Sequence, residues 1–83
     1  MRLDKFLKQT RIIKRRTIAQ ELADNKRIYR NGFPLKPSTD VKNGDVIEIF
    51  YGNRYLKIRI LDDKNYEILE DKKFRRDEYE ELD

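Results

Sequence analysis

The sequence contains no cysteine and no histidine. A disulfide framework, a thiol nucleophile and any zinc site built from Cys and His are therefore excluded. Glycine is scarce: Gly32, Gly44 and Gly52 stand singly in turn-like contexts, so there is no glycine-rich phosphate loop. No apolar run approaches the roughly 20 residues of a membrane span, and Met1 leads into a charged helical stretch rather than a signal peptide. The basic part of the chain offers only Asp4, Glu21, Asp24, Asp40, Asp45 and Glu48 as acids, scattered over helix ends, turns and strand faces. Without a nucleophile–base pair, paired carboxylates or a metal set, the chain reads as a binder and not an enzyme. The expectation is a soluble, cytoplasmic monomer that needs no cofactor and no membrane.

What the chain has is charge and a modest apolar complement. Its 83 residues suffice for a single domain, and Leu, Ile, Val and Phe supply 23 of them, enough to lift it out of the disordered class. The charge is unevenly spread. Residues 1–61 carry 15 Lys/Arg against 6 Asp/Glu, a surplus of nine positive charges, whereas residues 62–83 carry 5 against 10. A basic folded part points to a polyanion, most commonly nucleic acid.

Hydrophobic spacing divides the chain into two helices and a set of strands. Leu3, Phe6 and Leu7 form an i, i+3, i+4 stripe, predicting a helix over 2–9 with Arg2, Lys5 and Lys8 on the opposite face. Asp4 suits the positive end of that helix and has Lys8 four residues on as a partner. A second helix runs to about Asp24 with Ile18, Ala19, Leu22 and Ala23 inward. Its start is open to two readings: a Thr17–Gln20 capping box, or a first turn formed by Lys14-Arg15-Arg16 itself. Asn31-Gly32 between Arg27–Arg30 and Phe33–Leu35 is a hairpin signal, and Pro34 keeps its strand short or at an edge. Lys36–Asp40 reads as a loop and Val41–Asp45 as a turn. Strands follow over Val46–Phe50 and Tyr55–Leu61, the latter alternating apolar Leu56, Ile58 and Ile60 with polar neighbours. Tyr66–Leu69 allows one more short strand. Residues 1–61 are thus the domain, with 62–70 as a further strand at most, and 71–83 an acidic, flexible tail anchored only by Phe74, Tyr79 and Leu82. The fold class is α+β: two N-terminal helices packed on a small, mostly antiparallel sheet of four or five short strands.

The stretch Ile12–Ala19 organises the functional reading. Three consecutive cations, Lys14, Arg15 and Arg16, lie between apolar patches and at a helix start, where positive charge opposes the helix dipole and an external anion would relieve the conflict. Arg2, Lys5 and Lys8 face the same side.

Arg2-Leu3-Asp4 opening one helix, Arg16-Thr17 with Ala19 opening the next, Ile28–Gly32, Lys36-Pro37-Ser38 and Gly44-Asp45 before a strand resemble the small RNA-binding module named after ribosomal small-subunit protein four. The block Met1–Lys8 with Ile13–Thr17 is similar to the bacterial ribosome-associated quality control protein P family, akin to the fifteen-kilodalton heat-shock RNA-binding protein. That resemblance implies binding to 23S rRNA and peptidyl-tRNA on an obstructed large ribosomal subunit, in support of the factor that adds C-terminal alanine tails. It implies RNA contacts by Arg2, Asp4, Lys5 and Arg16, supported by Lys8, Lys14, Arg15, Thr17 and Lys36. Asp4 would orient a neighbouring arginine or accept a ribose hydroxyl. Three positions depart from the family pattern: Lys26 replaces a usual glycine, Arg30 an apolar residue and Asn43 a proline. Lys26 would alter the helix exit, and Arg30 would face outward or extend the RNA surface. The rival reading is a chaperone-like or protein-interaction module whose basic face meets an acidic protein.

Overall fold

The computed structural model describes residues 1–74. The earlier expectation for 75–83, with Tyr79 and Leu82 as anchors, lies outside the described residues.

Two short helices lead. Helix α1 spans Leu3–Gln9 and helix α2 spans Arg16–Asp24. Helix α1 buries Leu3, Phe6 and Leu7 completely, as the stripe requires, and ends where the Thr10 hydroxyl donates to the Phe6 carbonyl at 2.9 Å. Arg11 then turns left-handed, with φ 61°, and its N–H donates to the Lys8 carbonyl at 3.1 Å. This reversal carries Ile13 back into the core. Helix α2 buries Ala19 and Ala23, while Ile18 and Leu22, both read as inward, are only half-buried. It leaves through Asn25 and a left-handed Lys26 with φ 58°. The exit is thus the one a glycine would make, and Lys26 bears the strain of it instead of redirecting the chain.

Five strands follow: β1 Ile28–Arg30, β2 Phe33–Pro34, β3 Val46–Tyr51, β4 Arg54–Ile60 and β5 Tyr66–Lys73. They form one antiparallel sheet in the order β2-β1-β3-β4-β5. The β1–β2 hairpin turns on Asn31 and Gly32 with φ 54° and 80°, the positive pair a type I′ turn needs, and Pro34 lies on the edge strand. Strand β5 is longer than the Tyr66–Leu69 expected and takes in the first three residues read as tail; a bulge at Lys57/Ile58 adjusts its register with β4. One side of the sheet presents Ile28, Ile47, Ile49, Leu56, Ile58 and Ile60 to the helices, all buried. The other side carries Tyr29, Phe50 and Tyr55 as an aromatic row, Tyr29 meeting Phe50 edge-on and Phe50 tilted against Tyr55. Burial and a 2.6 Å hydrogen bond to Glu48 push the Tyr55 hydroxyl well above its ordinary pKa.

The beginning of the chain is sewn to the loop before β3. Leu3 N–H donates to Thr39 O at 2.9 Å, Asp4 N–H to Pro37 O at 3.1 Å and Val41 N–H to Met1 O at 2.8 Å. Arg30 neither faces freely outward nor joins the arginines near Asp4: it donates to Asp45 at 2.8 Å and to the Asp40 carbonyl at 3.0 Å, pinning the same loop to β1.

Candidate nucleic-acid interface

Asp4 is the one buried charged residue among those described, with 0% exposure. Its carboxylate accepts from Arg2 through a fork of 3.2 Å and 3.2 Å, from the Lys5 amide at 2.8 Å, from Arg16 at 3.3 Å and from Gln20 at 2.9 Å. Burial alone would push this carboxyl up, yet the hydrogen bonds from Gln20, Arg16 and Arg2 outweigh it and hold the pKa down at about 2. The acid is therefore ionised at every physiological pH. It is shared between Arg2 before α1 and Arg16 in the first turn of α2, whose side chains remain 51% and 44% exposed. Two guanidinium groups are held against one inner carboxylate, and their remaining donors face solvent.

This geometry corrects two readings of Asp4. Its partners are Arg2 and Arg16, not Lys8. It has no exposed surface, and its carboxylate is spent on Arg2, Arg16, Gln20 and the Lys5 amide, an arrangement that favours the orienting role over acceptance of a ribose hydroxyl. The capping box is not made either. Arg15 is the N-cap residue of α2, without a side-chain cap, and Arg16 begins the helix. Gln20 lies one turn beyond Arg16 on the same helical face and spends its amide on Asp4.

The other expected contact residues are exposed. Lys5 and Lys8 are exposed on α1, Lys14 and Arg15 on the elbow between the helices, and Thr17 on the first turn of α2. A cleft of about 590 Å³ adjoins Arg2 and Gln20 and brings in Lys36 from the loop after β2. It also brings in Lys26, the left-handed residue at the exit of α2 that stands where the family has a glycine. A second cleft of about 660 Å³ lies against Lys14 and Arg15 on the other side, closed by Arg11 and by Tyr51 and Arg54 of the sheet. Lys5, Lys8 and Thr17 line neither cleft. Gln20 was legible in part, since residues 16 and 20 must share a helix face. Tyr51 and Arg54 had no local signal, because only strand pairing places them beside the elbow.

A helix pair joined by a basic elbow, an Asn-Gly hairpin and a sheet returning to cover the helices define a class, and the S4 domain family model matches this chain over residues 1–47. The fold is similar to that of the trimeric Heat Shock Protein 15 of Vibrio cholerae, with a TM-score of 0.74 at 24% identity, covering 98% of this chain and 87% of that one. Sequence similarity is more specific. The chain is 54% identical over 65 residues to the RQC P-site tRNA stabilizing factor of Streptococcus pneumoniae, covering 78% of this chain and 74% of that protein. The factor of the same name from Bacillus subtilis is 50% identical over 60 residues, 72% of this chain and 70% of its own. The chain belongs to the family of RQC P-site tRNA stabilizing factors.

Proposed function

We propose that this protein is a non-catalytic RNA-binding factor of ribosome-associated quality control, which braces peptidyl-tRNA in the P site of an obstructed large ribosomal subunit. The observation that carries the reading is the pair of half-exposed arginines, Arg2 and Arg16, fixed on the buried Asp4 carboxylate. Arginine forks onto two phosphate oxygens, and a fork whose orientation is already set loses less freedom on binding. Lys14, Arg15 and Lys36 lie on the two flanks of this pair and extend the positive surface along an RNA backbone. Lys5, Lys8 and Thr17 add field and polar contacts at its margins. The protein acts as a monomer in the cytoplasm, contacts both 23S rRNA and the tRNA, and supports alanine tailing by keeping the tRNA in place, with no chemistry of its own. The similarity to P-site tRNA stabilizing factors supports the choice of tRNA.

Co-sedimentation with large subunits tests the reading. Arg16→Ala should weaken association at least about tenfold, as loss of a charge-assisted fork implies, while Lys57→Ala on the opposite side of the sheet should change it less than about twofold. Equal effects would remove the site from the Asp4 region. RNase treatment should abolish co-sedimentation, whereas survival would favour an acidic protein partner.

A further inference from the structure

We propose that the cleft between the elbow and the turn end of the β3–β4 hairpin receives one unstacked nucleotide of the bound RNA. The inference rests on the RNA-binding reading above and adds a site separate from the arginine pair on Asp4. At about 660 Å³ the cleft is in the range that encloses small ligands, roughly 300–1,000 Å³. Its floor is apolar, built from Ile13 of the elbow and from the cross-strand partners Ile49 and Leu56. Its charged lining residues are all cations: Arg11, Lys14 and Arg15 on the elbow side and Arg54 on the sheet side. An apolar floor under a rim of one sign calls for a ligand with a flat apolar face and a negative charge. A nucleotide supplies both, through its base and its phosphate. A free anion would leave the floor uncovered, and an uncharged apolar peptide would leave the rim unanswered.

The sheet also provides a stacking surface. Tyr51 and Arg54 are paired across the strands beyond Ile49 and Leu56, and Tyr51 is 46% exposed at the cleft. Arg54 is held by a fork onto Asp71 of β5 at 3.1 Å and 2.8 Å, which fixes the plane of its guanidinium. A base lying on the floor stacks against Tyr51, while its phosphates meet Lys14 and Arg15, the same residues that continue toward Arg16. A nucleotide next to the RNA backbone held at the arginine pair thus has a positive path into the cleft.

The test compares binding of the full chain to two RNA hairpins that differ by one bulged adenosine, followed by fluorescence anisotropy at fixed salt. The bulged hairpin should bind about fivefold to tenfold tighter, as stacking of one base on an aromatic residue predicts. Tyr51→Ala should erase that preference and leave affinity for the unbulged hairpin within about twofold, and Tyr51→Phe should keep it. Equal, tight binding of both hairpins by the unsubstituted chain overturns the cleft proposal alone, as does a preference that survives Tyr51→Ala. Failure to bind either hairpin overturns the cleft and the RNA-binding reading together. Amide shifts at Ile49, Leu56 and Arg54 distinguish other occupants. If they respond to Gln substitution of Glu78, Glu80 and Glu81, or to protein concentration, and not to bulged RNA, the cleft belongs to the chain's own end or to a second copy, and the proposal fails.

Discussion

Asp4 is ionised in a place without solvent because five hydrogen bonds compensate for the water it has lost. Its carboxyl is about 2 in the fold against 3.8 in an unfolded chain, so the charged form is bound more tightly by the native state. The stability this contributes is complete above about pH 4 and is lost as the pH falls toward 2, where the native carboxyl also protonates; the shift corresponds to about 2 kcal/mol. Urea unfolding at pH 7 should find Asp4→Asn destabilised by about 2 kcal/mol, less than breaking a fully buried pair costs because both arginine partners are half-exposed. Repeated between pH 5 and 2, the gap between the two proteins should close. A gap that stays constant would mean that another group carries the acid sensitivity. The same variant should bind RNA more weakly although Asp4 is buried, since it frees Arg2 and Arg16 to wander. The sequence showed the arginines and the acid but not their meeting. Arg16 and Gln20 are 12 and 16 residues from Asp4, and a single helix wheel, which offered Lys8 instead, contains no information about the packing of a second helix.

Local pattern was most informative where one face of an element is buried. The stripes of α1 and α2, the Asn31-Gly32 hairpin and the alternation of Leu56, Ile58 and Ile60 all mark elements that exist, with ends shifted by a residue or so. Strand β5 was underread because Glu70-Asp71-Lys72-Lys73 looks like a charge run rather than a strand. Pairing with β4 gives those charges partners: Asp71 meets Arg54, as Glu67 meets Arg59 one end further along. An element stabilised chiefly by a neighbour's backbone and by cross-strand charge has little period of its own. The exit of α2 shows the converse, a local cost accepted by the chain. Lys26 has φ 58°, where a side chain is strained by roughly 1 kcal/mol relative to glycine. Lys26→Gly should therefore stabilise the protein by about 0.5 kcal/mol, the relief of strain being partly cancelled by the extra freedom of glycine in the unfolded chain. For a domain of this size that is a rise of about 2–4 °C in Tm, measurable by calorimetry. A fall in Tm would show that the Lys26 side chain contributes more through its contacts at the Lys36 cleft than its backbone costs.

Charge distribution over the entire chain sets how it meets a polyanion. Of the surplus of nine positive charges in residues 1–61, residues 1–24 carry four and residues 25–61 the other five, whereas the acids of β5, Glu67, Glu70 and Asp71, lie at the far edge of the sheet from β2. Such a molecule presents one attractive side, so long-range steering orients it before contact. Six phosphate contacts, one each for Arg2, Lys14, Arg15, Arg16, Lys36 and one of the α1 lysines, predict an affinity that falls by about 10³ between roughly 50 and 200 mM salt. Each contact removed should lower the slope of log K against log salt by about 0.9. Lys14→Gln with Lys36→Gln should therefore reduce the slope by about 1.8, whereas Lys57→Gln, on the aromatic side of the sheet, should leave it unchanged. A slope that drops equally for Lys57→Gln would mean that RNA wraps both sides of the sheet. A slope unaffected by the double substitution would remove Lys14 and Lys36 from the electrostatic contact and leave it to Arg2, Arg15, Arg16 and the α1 lysines.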